Sequence, residues 1–105
     1  MAKSIRMKAV VNKDGIVEVK ALIDHPMESG SGKTDDGKPI EAHFIRQIVI
    51  TANGETVMLA HWSNAVSKLP FIGCKYQGKK GDIVKVIWVD NKEQSDFAET
   101  KVTAA

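Results

Sequence analysis

The chain has 105 residues, 15 of them basic and 13 acidic, for a formal charge of +2. That length suits a single domain, 1–105, able to bury roughly two-thirds of its unfolded surface without a metal or disulfide staples. The near balance of charge gives no strong argument for nucleic acid or an anionic membrane as partner. No apolar run reaches transmembrane length, and the one cysteine, Cys74, leaves no intrachain disulfide.

The chain starts Met1-Ala2-Lys3-Ser4-Ile5-Arg6, basic but with no apolar stretch behind it, so a secretory signal is not expected. Ile5, Met7, Ala9 and Val11 alternate with Arg6 and Lys8, the pattern of a half-buried strand. Asn12-Lys13-Asp14-Gly15 is a turn. Val17, Val19, Ala21 and Ile23 then alternate with Glu18, Lys20 and Asp24 in a second strand.

Pro26 has no N–H to donate and holds His25 extended, so the second strand ends there. A long polar loop follows, through Met27-Glu28-Ser29-Gly30-Ser31-Gly32 and Asp35-Asp36-Gly37-Lys38-Pro39 to His43-Phe44-Ile45. Loops of this length without structure of their own are uncommon and often functional; a solvated crossover between two sheets is the plainer explanation.

Phe44, Ile48 and Ile50 are expected on one face of the third strand, with Arg46 near its end or at a bulge. Asn53-Gly54 favours a type I′ hairpin. In the return strand Val57 and Leu59 lie on one face and Met58 and Ala60 on the other, and His61 to Leu69 reads as an irregular connection. From Pro70 to Gln77, Ile72, Cys74 and Tyr76 point one way and Phe71, Gly73, Lys75 and Gln77 the other. After the Gly78–Gly81 turn, Ile83 to Asp90 is apolar on both faces and belongs at the centre of a sheet. Phe97 to Val102 is expected as a last, edge strand, protected by Glu99 and Lys101. No helical spacing persists for three turns. About seven short strands with regular turn signals define an all-β, antiparallel two-sheet sandwich.

Candidate chemistry is thin. Cys74 shares its parity with core-facing Ile72 and Tyr76, and a buried cysteine is a small inert hydrophobe. His25, His43 and His61 could join it in a metal site, but no His or Met follows Cys74 as a copper centre needs, and the spacing is too open for zinc. Histidines at the surface, at strand ends, are the simpler expectation. Lys75, Tyr76, Lys79 and Lys80 form one basic hairpin tip, too small for a nucleic-acid surface. No phosphate-binding glycine loop opens a helix, and no carboxylate pair stands out. The residues therefore read as a binding or scaffold module with no catalytic residue, cofactor or metal.

Ile23-x-His25-Pro26-Met27-Glu28-Ser29-Gly30, then Asp36-Gly37-Lys38-Pro39-Ile40, Phe44-Ile45, Asn53-Gly54 and Trp88-Val89-Asp90-Asn91, resemble in order and spacing the SoxZ family of sulfur-oxidation proteins. The His-Pro-Met-Glu-Ser-Gly stretch is the specific part. The resemblance implies an immunoglobulin-like sandwich that pairs with a SoxY-like subunit. That subunit's C-terminal Gly-Gly-Cys-Gly-Gly arm carries the sulfur substrate between the enzymes of thiosulfate oxidation. This chain ends Val102-Thr103-Ala104-Ala105 without such an arm, so the resemblance implies the non-carrying subunit, exported to the periplasm with a signal-bearing partner.

The expected partner surface is His25, Pro26, Met27, Glu28, Ser29 and Gly30. Met27 is expected as an exposed, adaptable apolar contact, Pro26 pre-organises the loop and Glu28 sets orientation. The competing expectation is that Met27 tucks beneath the loop and caps the sandwich. The rival function is a thiol- or metal-dependent sulfur-transfer enzyme that uses Cys74 with a histidine.

Overall fold

The clean alternation in β2 (Ile16–Ile23) sorts its side chains: Val17, Val19, Ala21 and Ile23 are buried while Lys20 and Leu22 face outward. β2 pairs antiparallel with β1 (Ile5–Val11) and β5 (Phe71–Gln77). The second sheet holds β3 (Ile45–Ala52), β4 (Glu55–His61), β6 (Ile83–Asp90) and β7 (Ser95–Lys101). Strand orders are β5-β2-β1-β8 and β4-β3-β6-β7, the short β8 being Thr103–Ala104. This computed structural model describes residues 5–25, 27, 30, 33, 36–39, 41–62 and 70–105. Over them the protein is an all-β, immunoglobulin-like sandwich with no helix.

The core lies between the sheets, with Ile23, Ile45, Ile48, Ile50, Val84 and Val86 fully enclosed. Each such side chain contributes roughly 1.5–3 kcal/mol by leaving water. β6 lies inside its sheet between β3 and β7, as its two apolar faces require. Asn53 (φ 51) and Gly54 (φ 86) are both left-handed, the geometry of the expected type I′ hairpin.

Three local expectations change. The β3–β6 register shifts between Ile45 and Gln47, so Arg46 sits at a bulge. The bulge resets parity, and Ile45 rather than Phe44 is enclosed with Ile48. A second shift, between Ile50 and Thr51, lets both Val57 and Met58 pack on the core while Leu59 stays exposed. The chain also has an eighth strand. Val102, 2% exposed, leaves β7, and Thr103 crosses to pair parallel with Val10 of β1. The expected irregular connection 61–69 lies largely outside the described residues.

Candidate functional site

The site lies at the end of the sandwich where β2 and β6 finish. β2 ends at Ile23, whose N–H donates to the Pro70 carbonyl at 2.9 Å. Asp24 points to solvent and His25 turns inward, 4% exposed. β6 ends at Asp90, a fully buried carboxylate.

Asp90 gathers this end. Its Oδ2 accepts from Nε2 of His25 at 3.0 Å and Nε2 of His43 at 2.7 Å. Its Oδ1 accepts the backbone N–H of Lys92 at 2.9 Å and of Gln94 at 2.8 Å. Its backbone carbonyl accepts from Arg46 Nε at 3.3 Å. Burial alone pushes the Asp90 carboxyl up, but the bonds from His25, the Gln94 N–H, His43 and the Lys92 N–H outweigh it and hold the group below the ordinary carboxylate range. Asp90 is therefore a carboxylate at neutral pH, and its charge is satisfied by four N–H donors.

The next residue, Asn91, clamps the loop. Its Oδ1 accepts from Phe44 N–H at 2.9 Å, its Nδ2 donates to the Ala42 carbonyl at 2.9 Å, and its own N–H donates to the Phe44 carbonyl at 2.9 Å. Trp88, two residues before Asp90, meets the His25 ring edge-on at 5.0 Å between centroids, and His43 meets it at 4.5 Å. The Trp-Val-Asp-Asn and His-Pro-Met motifs are thus two sides of one structure.

Met27 is also drawn in, which overturns its expected exposure. It is 5% exposed and packs with the core. Its N–H donates to His25 Nδ1 at 3.1 Å, and its Sδ accepts from Ile45 N–H at 3.3 Å. These contacts hold it at φ 48, a left-handed backbone that costs a non-glycine residue on the order of 1 kcal/mol. Gly30 is left-handed too (φ 89), and a Cβ there would stand 3.1 Å from the Ala42 Cβ. Only glycine fits that approach without displacement. Pro26, Glu28 and Ser29 lie outside the described residues.

The bond from Met27 settles the chemistry of His25. Nδ1 accepts, so in the neutral ring Nε2 carries the proton and donates to Asp90. The ligand atoms of His25, His43 and Asp90 lie within 4.8 Å of one another, close enough to hold a metal ion. A metal on His25 Nε2 would need that lone pair free and would turn an Nδ1–H against the Met27 N–H. As folded, the three residues form a closed hydrogen-bond array that does not suit a metal. The expected surface histidine survives only at His61, which is exposed; His25 and His43 are structural partners of Asp90.

Cys74 does not join this end. It packs against the core from β5, opposite Val19, but is half-buried rather than enclosed as expected, and it stands four residues or roughly 13 Å along β2 from Ile23. Burial pushes its thiol up, the opposite of what a nucleophile needs. The rival enzyme reading, Cys74 with a histidine base within hydrogen-bond reach, therefore finds no such pair with His25 or His43.

A second buried carboxylate, Asp82, stands at the other end. It accepts from Asn53 Nδ2 at 3.1 Å, from Tyr76 OH at 3.2 Å and from Lys79 N–H at 3.1 Å. It ties the Asn53-Gly54 hairpin of one sheet to Tyr76 of the other. Both ends are thus pinned by an aspartate, and only the first also anchors a long loop.

Such a fold and site define a small all-β module whose polar groups shape a loop. The family model for the sulphur oxidation protein SoxZ matches residues 5–101, and the chain belongs to that family. It is thus a protein of the sulfur-oxidation (Sox) group. No curated protein sequence matches it. Among solved structures it is similar to two of the superoxide reductase (neelaredoxin) from Ignicoccus hospitalis. One, of a point variant, gives TM-score 0.67 at 15% identity, covering 98% of this chain and 81% of that one. The other gives TM-score 0.64 at 15% identity, covering 97% of this chain and 80% of that one. At that identity the likeness shows the sandwich fold alone.

Proposed function

We propose that this chain is the non-catalytic subunit of a heterodimeric sulfur carrier in thiosulfate oxidation. Its partner is a SoxY-like subunit whose C-terminal cysteine arm carries the sulfur substrate and meets the other sulfur-oxidation enzymes. The pair works in the periplasm, reached on the export signal of the carrier subunit. The family match over 5–101 carries this reading. The raised, inward Cys74 thiol supports it, because a non-carrying subunit needs no reactive sulfur.

On this reading the segment His25 to Gly30 contributes to the partner surface. The Asp90 array is its mount: it fixes His25 directly and Met27 through the His25 ring, so these two residues lose little entropy on docking. Sedimentation analysis of the purified chain mixed with the SoxY-like subunit tests the pairing. A stable one-to-one species is expected. Two components that sediment independently at micromolar concentration would refute it.

A further inference from the structure

The outer face of β1, β2 and β5 has a charge pattern that folding alone does not account for. Cross-strand register sets three rows there: Arg6–Leu22–Phe71, Lys8–Lys20–Gly73 and Val10–Glu18–Lys75. Four cations share this face with one carboxylate. Glu18 is divided between Lys20 at 3.4 Å and Lys75 at 3.8 Å. Lys8 and Lys20 stand directly opposite each other, an arrangement that destabilises an isolated sheet. Among the described residues neither Arg6 nor Lys8 has a carboxylate partner.

The same face has an apolar end. Phe71 is 60% exposed and lies beside Leu22, 38% exposed. Phe71 stands between two shallow hollows of about 210 and 230 Å³. One of them exists because Gly73 has no side chain opposite Lys20. Hollows beside an exposed aromatic suit apolar side chains, and the surrounding cations suit carboxylates. A protein surface offers both; the phosphates of a duplex, whose bases are already stacked, offer only the charge. A second copy presenting this same face would bring like charge against like.

We propose that this face receives the SoxY-like carrier subunit, through an apolar side chain seated beside Phe71 and carboxylates set over Arg6, Lys8 and Lys20. The inference rests on the heterodimer reading and names its surface. Position supports it: Leu22 leads through Ile23 and Asp24 directly to His25, so the apolar end of the face is continuous with the loop assigned to the partner.

Calorimetric titration of the SoxY-like subunit into wild type and three variants tests this. Lys8→Glu places opposite charges on facing positions and folds at least as stably as wild type. Phe71→Ser removes an exposed ring. Leu59→Ser, on the outer face of the other sheet and 54% exposed, is the comparator. Affinity is expected to fall about tenfold or more for Lys8→Glu and for Phe71→Ser, to hold within about twofold for Leu59→Ser, and to weaken in wild type as salt rises. Wild-type affinity in both Lys8→Glu and Phe71→Ser, or a loss confined to Leu59→Ser, would overturn this surface and leave the heterodimer standing. Absence of binding by wild type itself would remove the heterodimer and the surface together.

Discussion

Asp90 and His25 are 65 positions apart in the chain and 3.0 Å apart in the fold, both buried. Their bond joins the end of β6 to the start of the long loop, and His43 adds a second donor to the same oxygen at 2.7 Å. Asp90→Ala takes away the acceptor of the buried His25 ring and of the Lys92 and Gln94 N–H groups at once, while His43 Nε2 keeps Gln94 Oε1 at 3.1 Å. Equilibrium denaturation is expected to show a loss of about 3 kcal/mol or more. A change under about 1 kcal/mol would mean the array adds little to stability.

The pH dependence follows from the same bonds. The folded-state pKa of Asp90 lies below its unfolded value of about 3.9. A depressed carboxyl contributes stability that is present above the unfolded pKa and is lost as pH falls through the folded one. Wild type is therefore expected to lose stability below about pH 4, and Asp90→Asn to show a shallower loss over the same range. Parallel acid curves for the two proteins would rule this out. Asp82 contributes with the same sign, since the Lys79 N–H and the Asn53 side chain hold it low, against burial and with help from Tyr76.

Tyr76 is pushed up to about 12, first by burial and then by the bond and charge of Asp82. It is the only tyrosine in the chain, so phenolate absorbance reports it alone. Its raised value adds stability that is full below about pH 10, the unfolded value, and lost as pH rises through about 12. Asp82→Asn should bring the midpoint back toward about 10. An unmoved midpoint would show that Asp82 is not a cause. Gly78→Ala attacks the same end: a Cβ would stand 2.5 Å from the Tyr76 ring and 2.6 Å from Asp82 Oδ2, and about 1–3 kcal/mol should be lost.

Met27→Ala separates packing from partner contact. Met27 is enclosed and gives Ile45 N–H its acceptor, so its removal should cost about 2 kcal/mol or more and lower the melting temperature. A wild-type melt with weakened partner binding would instead restore Met27 to the contact surface. Glu28→Ala addresses the loop's part in binding, with weaker affinity for the SoxY-like subunit expected at an unchanged melt.

Trp88 is 7% exposed and braces the His25 ring. Trp88→Ala should cost roughly 3–5 kcal/mol, much of the margin of a small domain. A quencher-accessible, red-shifted emission from Trp88 in a protein without Trp62 would contradict its burial.

Strand parity made much of this fold readable in advance. Val17 to Ile23 and Val84 to Trp88 alternate without interruption, and both runs face the core as their spacing implies. Parity failed where the ladder slipped: the bulge at Arg46 is one extra residue, and hydrophobicity alone does not say whether Phe44 or Ile45 turns inward. β8 is two residues long, too short for any periodic signal. The site was half legible. His25 and the loop drew notice as residues, but their partners are remote in sequence, and an aspartate closing an apolar strand looks like a turn residue. Met27 misled because methionine gives no hint of a left-handed backbone. The buried acceptors that hold it there, and the Asp90 bonds behind them, exist only once the sheets have stacked.

The most direct test of the carrier-subunit account is the rate of thiosulfate oxidation in a system reconstituted with the SoxY-like subunit and the Cys74→Ala chain. Cys74 faces inward with a raised thiol pKa, so the account predicts the wild-type rate, and little turnover when this chain is left out. A Cys74→Ala chain that pairs normally with the SoxY-like subunit yet supports no turnover would contradict it.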